Sequence, residues 1–108
     1  FLNLQICYNT YERMVLYMIY PYLTLNDGTE YTHSEMKVDG TVLVYVETPD
    51  AEDGFHSLLC VLPKYEIKDV IGYTEEEQEK ILARIKKNAH LIIKYSQIGG
   101  FQSDAATA

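Results

Sequence analysis

Apolar positions from Thr74 to Ile98 recur with the period of a helix. Placed about 100° apart, Ile81, Leu82, Ile85, Ala89, Ile92, Ile93 and Ser96 share one third of the circumference. Thr74 followed three residues on by Glu77 is a capping-box pattern, so the helix should begin there. Glu75, Glu76, Glu77 and Glu79 precede Arg84, Lys86, Lys87 and Lys94, an order that runs with the helix dipole. Gly99 and Gly100 suit the left-handed backbone of a terminus. The spacing predicts a helix over 74–98 with a buried isoleucine seam. Its other face, with Lys80, Lys86, Lys87, His90 and Lys94, is solvated.

Upstream the texture is that of strands. Phe1 to Tyr8 alternates weakly and reads as a short strand. MVLYMIY, Met14 to Tyr20, is a continuous apolar run whose periodicity fits a buried strand or a helix alike. A helix over Tyr11 to Ile19, capped by Thr10 and stopped by Pro21, is preferred. Asn26-Asp27-Gly28 and Asp39-Gly40 divide YLTL, TEYTHSEMK and TVLVYVET as hairpin turns. Pro49 to Gly54 forms a longer, exposed acidic loop before FHSLLCVL and YEIKDVI. Val42, Val44 and Val46 share the face that should meet the helix. Leu43 and Tyr45 leave the reverse face apolar as well, awaiting the N-terminal segment or another molecule.

The expected fold is therefore α+β: a four- or five-stranded antiparallel meander packed on one long C-terminal helix, with a short N-terminal helix or strand. The length of 108 residues fits a single domain, placed at 1–101, with 102–108 as a flexible tail.

Charge sharpens this picture. The net charge is −7, but residues 1–79 carry nearly all the acids and residues 80–108 most of the bases, so the molecule should be bipolar. An acidic body argues against nucleic acid, whose binders neutralise phosphates with basic groups. The apolar run at Met14 to Tyr20 is too short to cross a membrane. Cys7 and Cys60 lack disulfide or C-x-x-C spacing and read as buried thiols of a cytoplasmic protein.

Candidate chemistry is sparse. If the turns close simply, His33 lies opposite Val46 and His56 beside Glu47, which puts the two histidines on opposite faces and excludes a shared metal. Glu47 with His56, joined by His33, is the candidate acid–base set for a small hydrolase or transferase, with a cross-strand ion pair as the plainer meaning. His33, Ser34 and Glu35 have the letters of a triad without its geometry. No nucleotide-binding, nucleophile-elbow or zinc-protease motif occurs. No catalytic residue, metal or cofactor is assigned.

Ten tyrosines with no tryptophan favour a contact surface, because the ring buries area while the hydroxyl tolerates water. Asp50, Glu52 and Asp53 of the acidic loop, with Tyr31, Tyr45 and Tyr65, are the expected partner-binding residues. The expected partner is a protein, basic in the sharpest form. A homodimer through the uncovered sheet face is the alternative.

LTLNDGTEYTHSE, ETPDAEDGFHSLLCVLPKYE and NAHLIIKYSQIGG, within residues 21–101, resemble a group of small uncharacterised bacterial proteins, often near mobile elements, that bring no assigned activity. Residues 1–13 fall outside that likeness, and Met14 is a candidate native start. More distantly, TVLVYVETPDAEDGFHSLLCVLP followed by YTEEEQEKILARIKKNAHLII is similar to HicB-type antitoxin domains, in which a meander with an acidic loop precedes a capped helix. That likeness implies an antitoxin or inhibitor. Leu62-Pro63-Lys64-Tyr65 matches the P-x-L-P-G-C-like stretch of that family only weakly, and no DNA-binding extension follows Gly100.

Overall fold

A computed structural model describes residues 3–8 and 14–98, with side chains from Met18 onward. Six strands form one antiparallel sheet in chain order: β1 (Asn3–Tyr8), β2 (Met14–Thr24), β3 (Glu30–Ser34), β4 (Val42–Asp50), β5 (Gly54–Leu62) and β6 (Glu66–Ile71). Helix α1 (Glu75–Ile98) follows and lies across one face. This is the α+β meander that the sequence leads one to expect, with β1 as its N-terminal strand.

The helix forms for the reasons read from its sequence. The Thr74 backbone N–H donates to Glu77 Oε1 at 2.8 Å, and the Glu77 N–H donates to Thr74 Oγ1 at 3.1 Å, which closes the capping box. Ile81, Ile85, Ala89, Ile92 and Ser96 are buried, and Leu82 and Ile93 pack beside them. They meet Val42, Val44 and Val46 of β4, all fully buried, and their cross-strand partners Leu62, Cys60 and Leu58 of β5. Tyr22 ties the helix down on the other side, its hydroxyl donating to Asn88 Oδ1 at 2.7 Å. Gly99, Gly100 and the tail at 102–108 lie outside the described residues.

The N-terminal region corrects the preferred reading. Met14–Thr24 is a strand and not a helix, paired with β1 on one side and β3 on the other. Two flanking partners satisfy its backbone, and its β-branched and aromatic side chains suit a pleated surface. Pro21 does not end the element, because the register shifts between Pro21 and Leu23 and the bulge accommodates a residue without an N–H. The proposed cap at Thr10 lies outside the described residues. No helix among the described residues is long and apolar enough to cross a membrane.

Both predicted turns form. Gly28 has φ +90° and Gly40 φ +86°, conformations that suit glycine. The antiparallel order places the β2–β3 turn, the β4–β5 turn, the end of β6 and the start of α1 at one end of the sheet. That end holds most of the acids: Asp27 and Glu30, Glu47 to Asp53, and Glu75, Glu76, Glu77 and Glu79.

Candidate functional site

The β4–β5 turn sets the site. Asp50 pairs with Gly54, leaving Ala51, Glu52 and Asp53 as a three-residue turn, and Gly54 takes φ +89°. Asp50 Oδ1 accepts the backbone N–H of Glu52 at 2.8 Å and of Asp53 at 2.9 Å. These two bonds, above all, hold the Asp50 carboxyl below the usual carboxylate range, with His56 adding a smaller share.

The extra turn residue moves the register by one position. His56 lies opposite Thr48 and not Glu47, whose partner is Ser57. His33 lies opposite Val44 and not Val46, a displacement of two that leaves its face unchanged. Both histidines therefore point toward the helix side, which reverses the expected parity. They remain well apart, because Val44 and Thr48 are four residues apart along β4, a span of about 13 Å. Glu47 projects from the reverse face and is exposed. The acid–base set of Glu47, His56 and His33 is not assembled.

In the letter triad His33 and Ser34 make local hydrogen bonds, and Glu35 contributes its backbone carbonyl. His33 is fully buried, and its Nδ1 lies 2.8 Å from the Ser34 carbonyl oxygen, so Nδ1 carries the hydrogen. Burial lowers its pKa. Ser34 Oγ donates to the Glu35 carbonyl oxygen at 2.7 Å and accepts from the Leu43 N–H at 3.0 Å. Cys60 is buried under the helix, and desolvation pushes its thiol up to about 11, so it is an inert core group. The side chain of Cys7 lies outside the described residues.

A pocket of about 280 Å³ opens between this end of the sheet and the first turns of α1. Tyr31, Thr48, His56 and Tyr73 line the sheet side, and Glu77, Lys80 and Arg84 the helix side. Its floor is a chain of hydroxyls, Tyr73 to Thr48 at 2.7 Å and Thr48 to Thr29 at 2.8 Å, which satisfy one another. Burial raises the pKa of the Tyr31 phenol, and the positive charge of Arg84 offsets part of that rise. The His56 imidazole stands edge-on to Tyr73, with ring centroids 5.7 Å apart. Its Nε2 faces carboxylates: Asp53 Oδ2 at 3.2 Å and Asp50 Oδ2 at 3.3 Å. The pocket thus gathers an imidazole, hydroxyls and charges of both signs at one end of the sheet.

The expected partner-binding residues scatter over three surfaces. Asp50, Glu52 and Asp53 form the turn at the acidic end, with Glu52 and Asp53 exposed. Tyr31 is 3 % exposed and reaches only the pocket, so it is no anchor for a protein surface. Tyr45, half-buried, lines a shallow pocket of about 190 Å³ on the reverse face. Tyr65 lies at the opposite end of the sheet, with the Lys86 ammonium 5.4 Å from its ring centroid. Sequence reasoning missed the link from His56 to both aspartates, because Asp50, Asp53 and His56 line up only once a three-residue turn is chosen. Comparison of the chain with models of protein families, with curated proteins and with solved structures yields no match.

Proposed function

We propose that the chain is a protein-binding module that works without catalysis and presents its acidic end to a basic partner. One observation carries this reading: the topology brings the acids of two turns and a helix start to the same end, with Glu52, Asp53, Glu75 and Glu76 exposed there. Clustered carboxylates of one sign steer a cationic surface into register and raise the rate of encounter. An antitoxin or other small inhibitor that covers a basic protein surface is the sharpest form of the proposal. The acidic turn, and not the tyrosines as a set, is its contact element.

The test is binding of a lysine-rich peptide and of any basic partner captured from the native host. Replacing Asp50, Glu52 and Asp53 together by Asn, Gln and Asn should weaken both and flatten their dependence on salt. Unchanged affinity at low ionic strength would remove the proposal.

A second reading, self-association, rests on the reverse face, where Phe55 is 58 % and Ile71 60 % exposed. Sedimentation over a concentration series decides it, and a monomer throughout would exclude it.

A further inference from the structure

Asp50, Asp53 and His56 stand at every third position of one hairpin, and each offers a ligand atom within 4.8 Å of the other two. The two carboxylates converge on a single imidazole nitrogen, at 3.2 and 3.3 Å. One N–H cannot serve two acceptors well, and charge-assisted N–H···O bonds run to only about 2.7–2.9 Å. The contact to Asp53 is within hydrogen-bond reach, so the ring N–H can serve one carboxylate while the other faces the same nitrogen without it. The two spacings also suit a shared cation, since tetrahedral metal bonds of about 2.0–2.1 Å set neighbouring ligand atoms roughly 3.3–3.4 Å apart.

Supporting groups fix two of the three donors, Asp50 and His56, while the Asp53 carboxylate is held, among the described residues, only by its contact to the imidazole. The turn N–H groups of Glu52 and Asp53 hold Asp50 Oδ1, which leaves Oδ2 for the cluster. The imidazole is seated where Gly72 has no side chain: a Cβ there would stand 2.3 Å from His56 Cδ2. Tyr73 closes the other side of the ring by its edge contact. Side-chain exposure rises from 18 % at His56 to 32 % at Asp50 and 67 % at Asp53, so the cluster opens to solvent on one side, where water could complete a coordination sphere.

We propose that Asp50, Asp53 and His56 form a binding site for a first-row divalent cation, zinc by preference. One imidazole nitrogen with two carboxylate oxygens suits zinc better than calcium or magnesium, which favour all-oxygen sets. Three protein ligands leave a position for water or for a donor brought by a ligand. The surrounding acidic end raises the local cation concentration. The site lies at the pocket mouth, since His56 also lines the pocket. It rests on the geometry of the hairpin and shares Asp50 and Asp53 with the partner-binding proposal, from which His56→Ala separates it, since that variant loses a ligand and keeps the acidic turn.

The test titrates zinc into full-length protein freed of metal with a chelator, followed by calorimetry, and repeats it with cobalt, followed by visible absorption. One equivalent should bind, and cobalt should give the intense bands of a low-coordinate site. His56→Ala and the exposed Asp53→Asn should each weaken binding roughly tenfold or more, whereas His90→Ala should bind as the parent does. Circular dichroism establishes that each variant is folded, and Asp53→Asn carries the test alone should His56→Ala not fold. No saturable zinc binding, or binding unchanged in Asp53→Asn and in a folded His56→Ala, would overturn the proposal. So would magnesium or calcium competing on equal terms with zinc, because that marks an unspecific acidic field.

Discussion

Gly72→Ala probes the site through its seat. Gly72 and Gly40 share nearly the same positive φ, +87° and +86°, so alanine meets a left-handed backbone cost at both, about 1–2 kcal/mol. Their surroundings differ. A Cβ at Gly40 meets nothing within 4 Å, whereas at Gly72 it would lie 2.3 Å from His56 Cδ2 and 2.6 Å from Cγ. The ring must move or the strand must yield, which adds roughly 1–3 kcal/mol. Gly72→Ala should therefore destabilise by about 2–5 kcal/mol and Gly40→Ala by about 1–2 kcal/mol, summing the two costs. In a His56→Ala background the clash is gone, and the cost at Gly72 should fall to that at Gly40. Urea unfolding of the single and double variants, with equal m-values, measures the coupling. An equal cost at Gly72 with and without the imidazole would refute the reasoning.

Two further outcomes follow from the core. Ile85→Ala, at the fully buried centre of the helix seam, should cost about 2–5 kcal/mol in chemical unfolding, and a loss under about 1 kcal/mol would mean the seam is not packed as described. His33 is buried in its neutral form with a pKa below its ordinary 6.5, so its contribution is complete above that value and is lost as pH falls toward the folded pKa. Between pH 7 and 5 the parent should lose stability relative to His33→Leu by at most ~1.4 kcal/mol per pH unit. Parallel pH profiles would contradict this.

The helix could be read from sequence because several local signals agreed: capping pair, acid-to-base order and a seven-residue seam whose members are buried or packed at its edge. The valine face of β4 and the two glycine turns were readable for the same reason. Met14–Thr24 was not, since an apolar run at both parities has no period to measure, and the pairing of β2 on both edges decides its form only in three dimensions. The site was half visible. Its acidic turn stood out by composition, but one residue in the turn length decides whether His56 faces Glu47 or the two aspartates. Likewise Tyr31 reads as a surface ring by composition and becomes a core residue through its pairing with Val46.

The central claim, that the acidic end is the contact surface, is tested most directly by mapping amide resonances while a lysine-rich peptide is added to labelled protein. Saturable shifts should gather at Asp27, at Asp50 to Gly54 and at Glu75 to Glu79, and fade as salt is raised. Shifts centred instead on Tyr65 and Lys86 at the opposite end, or none at low salt, would contradict it.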